Sequence, residues 1–238
     1  MPDIKLGTTT ITDVRVGSTL IKEVRRGGTL VWVRSSIADF FDRDDADTMG
    51  SAWTAVGSPE YSLGVENGYA RVRIPEGQLG GVFSLSISRA FFNTSALSGD
   101  DGYVECRPMS LGSSASIASP IDGYRTQVFG RVSTSGFTNG VGIEMAAGHM
   151  WICRRVSGTD ARMSDGGTFQ AGDQLRLTFT GNVHTLTRNG REATTWTDSS
   201  NTVGTGSGNR RLGIRGDGAK DLLGPRRFSP ALDYVVMG

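Results

Sequence analysis

The sequence has no apolar run near the ~20 residues that a membrane-spanning helix requires. Its first residues, Met1-Pro2-Asp3-Ile4-Lys5, lack the basic start and apolar centre of a secretory signal. The expectation is a chain made in the cytoplasm, with no membrane insertion. An excess of either charge is also missing: 25 Lys and Arg stand against 24 Asp and Glu, a formal net charge of +1. Without a basic stripe, and with only the isolated pairs Arg210-Arg211 and Arg226-Arg227, nothing favours a nucleic-acid partner. The two histidines and two cysteines are dispersed and form no CxxC or Cys/His cluster, which gives no convincing zinc site. Cys106 and Cys153 fall in predicted strands and read as buried free thiols, or as one bridge between strands. No segment longer than a turn or two reads as helix.

What is plentiful is glycine: 34 residues, about twice average usage, scattered among short apolar runs as turn residues. Between those turns lie alternating segments. Tyr69 to Ile74 follows an Asn67-Gly68 hairpin signal, and Val82 to Ser88 alternates cleanly. Further strands are predicted over Gly102 to Arg107, Tyr124 to Val132, Gly140 to Ala146, Met150 to Val156, Val183 to Arg188, Arg211 to Arg215 and Asp233 to Met237. In Gln174 to Thr180, Leu175, Leu177 and Phe179 share one face and Arg176, Thr178 and Thr180 the other, the mark of a half-buried antiparallel strand. About a dozen such strands and a 37% hydrophobic content predict an all-β, antiparallel two-sheet sandwich. Phe40, Phe41 and Trp53 are its expected early core anchors.

The N-terminus carries a repeat. Residues 7–16 read GTTTITDVRV, 17–26 read GSTLIKEVRR, and GGTLVWVR follows, so glycines 7, 17 and 27 align at a period of ten. Each unit reads as a glycine turn and one short strand. Three such strands supply too little core to stand alone, so their apolar rows must pack elsewhere. Those rows are Ile11, Val14, Leu20, Ile21, Val24, Leu30, Val31 and Trp32. Two domains are therefore expected: a repeat module over 1–34, serving assembly or anchoring, and a sandwich over 35–238.

Residues 39–238 resemble the concanavalin-A-like lectin/laminin-G sandwich, a jelly roll. The resemblance rests on Asp39, Phe41, Arg43, Asp45, Gly50 and Trp53, on AGDQLRLTFTGNVHTLTRNGRE, on RRLGIRGDG, and on the ending SPALDYVVMG. With the repeat included, the chain is similar to minor tail proteins of tailed phages that infect actinobacteria. The resemblance implies a virion structural protein, surrounded by other virion proteins or copies of itself, whose sandwich binds them or a cell-surface glycan. A free carbohydrate-binding module and a capsid decoration protein are the other readings. It also implies that the AGD…NG stretch is a hairpin and that the last strand lies near the first.

Chemistry was sought on that frame. Sugar-cleaving sandwiches need two carboxylates flanking the scissile bond. Glu105 and Glu144 each lack a carboxylate two residues away, and no G-x-S-x-G elbow accompanies His149 or His184. The expectation is a protein that is not an enzyme and needs no cofactor, structural calcium aside. The loop with Asp39, Asp42, Asp44, Asp45 and Asp47 reads either as a solvated acidic turn or, as the resemblance suggests, as a calcium site in which Asp39 and Asp42 meet Asp233. For a glycan, aromatic faces and polar groups are needed on the solvent side of the more concave sheet. The candidates are Tyr124, Trp151 and Trp196, with Arg125, Arg154 and Arg191.

Overall fold

A computed structural model describes residues 37–76, 85–114, 123–220 and 225–238 in full, together with the backbone of six short strands between residues 5 and 33. Those six form three antiparallel pairs: β1 (Lys5–Leu6) with β2 (Thr9–Thr10), β3 (Val14–Val16) with β4 (Thr19–Ile21), and β5 (Glu23–Arg26) with β6 (Thr29–Val33). Each pair leaves two residues between its strands, beginning at Gly7, Gly17 or Gly27. The period of ten is thus a hairpin period with two strands per unit. One strand per unit was expected, because the β-branched run was read as continuous across the Asp13 and Glu23 positions. The side chains of Ile11, Val14, Leu20, Ile21, Val24, Leu30, Val31 and Trp32 lie outside the described residues.

The sandwich follows. In chain order its strands are β7 (Ile37–Asp39), β8 (Trp53–Val56), β9 (Leu63–Glu66), β10 (Tyr69–Val72), β11 (Leu85–Phe92), β12 (Gly102–Pro108), β13 (Arg125–Val132) and β14 (Gly140–Ala146). They continue as β15 (His149–Val156), β16 (Thr159–Thr168), β17 (Leu175–Thr180), β18 (Val183–Arg188), β19 (Arg191–Thr197), β20 (Arg211–Lys220), β21 (Arg226–Phe228) and β22 (Leu232–Met237), with one 3-10 turn at Ser207–Asn209. The first sheet has the order β19-β18-β17-β12-β22-β10-β9, with β7 also on β22. The second has β16-β15-β14-β13-β20-β11-β8, with β21 on β20. All pairings are antiparallel, and the whole is a jelly-roll sandwich.

Alternation places the core. From the first sheet Val104, Cys106, Leu175, Leu177, Phe179, Val235 and Met237 face Val128, Ile143, Met145, Ile152, Leu212 and Ile214 of the second, all fully buried. Asn67 and Gly68 both have positive φ, 54° and 76°, as do Asn189 and Gly190, 51° and 77°. Asn and Gly tolerate that left-handed geometry, so each pair closes its hairpin where the sequence marks it. The last strand does lie beside the first, with Val235 opposite Asp39. Cys106 and Cys153 are free and buried, and burial pushes the Cys106 thiol up first, before the neighbouring Glu105 charge.

The opening motif is a structural clasp. Asp39 Oδ1 accepts from the Phe41 amide at 3.0 Å and Arg43 Nη1 at 2.6 Å, while Oδ2 accepts from Arg43 Nη2 at 3.0 Å and Trp53 Nε1 at 2.7 Å. Phe41 and Trp53 are buried as anticipated, whereas Phe40 stays partly exposed and packs on Tyr234 of the outer surface.

Candidate functional site: a trough on the second sheet

The outer face of the second sheet collects charge in an ordered way. Residues that alternate with the core set point outward, and the pairing register aligns them across strands. Arg89 of β11 stands opposite Arg215 of β20, which faces Gln127 of β13, then Glu144 of β14, then Trp151 of β15. Five strands therefore contribute one transverse row. A second row runs Phe91, Gly213, Phe129, Gly142, Cys153. Gly142 is required there: a Cβ would stand 2.2 Å from the Val128 carbonyl oxygen and 2.9 Å from the Phe129 ring.

The face is concave, and one contact shows it. Asp160 belongs to edge strand β16, four places from β20 in the sheet. In a flat sheet that separation is about 19 Å at ordinary strand spacing. Yet Asp160 Oδ2 accepts from Arg215 Nη1 at 2.5 Å, and Asp160 Oδ1 from Arg155 Nη1 at 2.5 Å. The sheet curls until its β15–β16 hairpin meets the middle of its own face. This trough is the concave platform on which the sequence candidates were placed.

Its floor is an ion-pair network. Arg215 grips Asp217 through Nε at 2.9 Å and Nη2 at 3.1 Å. Glu144 accepts from Gln127 Nε2 at 2.5 Å and from Arg162 Nε at 2.7 Å. Arg125 reaches Asp217 from its amide at 3.3 Å and its guanidinium at 3.5 Å. Gln127 Oε1 is buried with no hydrogen-bond partner among the described residues. At the wall, Arg162 lies 3.6 Å over the Trp151 ring, whose neighbour on the strand, His149, stacks at 4.5 Å. Trp151 is partly exposed, so an apolar face and fixed polar groups share one cavity.

Of the six residues proposed for a glycan, Arg125 and Trp151 lie in this trough; the other four do not. Tyr124 is fully buried, in step along the chain with Thr126 and the core residue Val128 rather than with the outward Arg125. Arg154 and Trp196 sit at the side of the sandwich, 6.0 Å apart, with Arg154 bonded to Thr202 and Trp196 stacked on His184 at 5.0 Å. Arg191 lines a separate groove of about 610 Å³ with Thr168, Arg188 and Glu192. A further groove of about 860 Å³, at one end of the sandwich, is lined by Asp100, Asp101, Arg131 and Asp198, whose carboxylates are all taken by protein donors.

The residues put forward for calcium do not fit the ion. Both Asp39 oxygens are occupied by Arg43, Trp53 and a backbone amide, and a guanidinium beside the carboxylate opposes a cation. Asp233 faces Arg107 at 3.7 Å, and burial raises its pKa, with Asp42 adding to the rise. Among the described residues no three His, Cys, Asp or Glu side chains gather as metal ligands.

No family model and no curated protein matches the chain. Solved structures do. A Bacillus licheniformis β-glucanase matches at a TM-score of 0.51 and 10% identity, over 85% of this chain and 97% of its own. The catalytic domain of an endo-1,3-β-glucanase from Thermotoga petrophila matches at 0.50 and 13%, over 88% and 96%. A GlcNAcα1-4Gal-releasing endo-β-galactosidase from Clostridium perfringens matches at 0.51 and 14%, over 84% of this chain and 61% of its own. The reading of the chain as a non-enzyme is corrected by this finding: its frame is one that glycan-cleaving enzymes use. The sandwich half of the sequence resemblance stands, while its phage-tail half has no counterpart among these matches. The chain is an all-β jelly-roll sandwich sharing its fold with a β-glucanase, a laminarinase and an endo-β-galactosidase.

Proposed function

We propose that the protein binds a carbohydrate chain in the trough of the second sheet, with Trp151 as the stacking face and Arg125 and Arg162 as polar contacts. One observation carries the reading. A partly exposed tryptophan stands in register with Glu144 and Gln127 on a curled face, with the partly exposed guanidiniums of Arg125 and Arg162 on the same face. The shared fold of glucan-cleaving enzymes supports it. Isothermal titration with laminarin, lichenan and polygalacturonate tests it: Trp151→Ala is expected to weaken binding at least tenfold while leaving the melting temperature within a few degrees. Unchanged affinity in that variant would place the ligand elsewhere.

Cleavage of the bound chain is the second reading, favoured by Glu144. This carboxylate is held on the trough floor by two donors beside the stacking residue, where a nucleophile or general base would be needed. Release of reducing ends, abolished by Glu144→Gln, is its expected signature. The three N-terminal hairpins then act as an attachment module, which on the tail-protein resemblance would mount the sugar site on a virion. Support for that is the small size of the hairpins. Deleting residues 1–34 is expected to lower the assembled mass in light scattering, and an unchanged mass would remove the anchoring role.

A further inference from the structure

The trough is layered by charge. Its carboxylates lie at the bottom and three of its five guanidiniums at the top: Glu144, Asp160 and Asp217 are 1%, 9% and 0% exposed, against 27%, 21% and 24% for Arg162, Arg89 and Arg125. A ligand entering the trough meets positive charge first. Counting Arg155 and Arg215 beneath them, five guanidiniums oppose three carboxylates among the described residues. Asp165 stands at the rim beyond Trp151, bound by His149 at 2.6 Å and the Gly167 amide at 2.7 Å, and its charge reduces the surplus to one. Arg89 is the least provided for: its nearest carboxylate oxygen, on Asp160, is 3.6 Å away, and its Nε has no acceptor. Burial, then the adjacent Arg155 and Arg215 charges, lower its pKa, which an anion placed beside it would reverse.

We infer that the carbohydrate taken by this trough is anionic, a uronate or sulfate-ester polymer whose acidic groups are met by Arg89 and Arg125. The inference rests on the trough being the carbohydrate site. Planar guanidiniums suit carboxylate and sulfate alike through paired N–H donors. Neutral glucans would displace water from Arg89 and Arg125, whose carboxylate partners stand 3.6 and 3.5 Å away, without supplying a closer counter-charge, so the trough discriminates against them. Screening by salt follows from the same charges.

The test is titration of the full chain with polygalacturonate, dextran sulfate and laminarin at two salt concentrations. Expected is binding of polygalacturonate, dextran sulfate or both at least tenfold tighter than laminarin, weakening as salt rises. Tighter binding of one of the two identifies carboxylate or sulfate as the group read. Arg89→Gln and Arg125→Gln are each expected to lose about tenfold in affinity, whereas Arg125→Lys, which keeps the charge but not the paired donors, loses less. Arg226→Gln, away from the trough and paired to exposed Glu76, controls for general charge. Laminarin bound as tightly as the anionic polymers would overturn the inference and leave the trough as a sugar site. Equal losses in Arg226→Gln and Arg89→Gln would overturn it too. Binding of no polysaccharide at all would remove the sugar site itself.

Discussion

Arg215→Met is expected to lower stability by about 3–5 kcal/mol, because it strips a buried carboxylate pair of its shared cation. Arg215 is 2% exposed and donates to Asp217 twice and to Asp160 once. Asp217 would retain only Arg125, through its amide at 3.3 Å and its guanidinium at 3.5 Å, and Asp160 would retain Arg155 and the more distant Arg89. Two carboxylates so placed are not rehydrated without opening the sheet. For a chain of 238 residues, that loss corresponds to a fall in melting temperature on the order of 10 °C. Glu76→Gln is the contrast: its partner Arg226 lies at the surface and Glu76 is 86% exposed, so less than about 1 kcal/mol is expected. Thermal unfolding of both variants followed by circular dichroism checks the pair. Similar small losses would mean the network is solvated rather than buried.

His184 is expected to make the fold acid-labile. It is fully buried between Phe179 and Trp196 on neighbouring strands, and neither ring nitrogen has a partner among the described residues. Burial, then the Arg131 charge, depress its pKa from 6.5 to about 4, and Asp198 offsets only part of this. The unfolded chain binds a proton near pH 6.5 and the folded chain only near 4, so the stabilisation is complete above pH 6.5 and disappears as pH falls toward 4. Between pH 7 and 4.5 this histidine alone should remove on the order of 2–3 kcal/mol. His184→Phe keeps the stack on Trp196 and cannot titrate. Urea unfolding at the two pH values should show the variant losing distinctly less than the parent, and equal losses would exclude His184 as the sensor.

Much of the frame was legible because single-strand alternation reports burial directly. The β17–β18 hairpin, the Asn-Gly turns and strands β14 and β18 lie where the pattern puts them. Strand β16 was missed because TDARMSDGGT has no apolar alternation: it is a partly exposed edge strand. Strand β19 fails to show for the same reason, its residues being mostly exposed. Arg211 to Arg215 continues to Lys220 through glycines that read as loop. The trough was harder still. Arg215 and Asp217 are two apart and so share a face, a signal present in RRLGIRGDG, but only the cross-strand register reveals that Gln127 and Glu144 join them. Glu144 looked solitary because its company comes from other strands. Tyr124 was placed outward although it lies two residues from Thr126 and four from Val128, both of which are buried.

The measurement that bears most directly on the trough is a structure of the full chain with an acidic oligosaccharide bound. The expected result is a sugar ring against Trp151 and Arg162, with its acidic group toward Arg89 or Arg125. A ligand seated in the end groove beside Asp100 and Asp198, or on the outer face of the first sheet, with the trough unchanged, would contradict it.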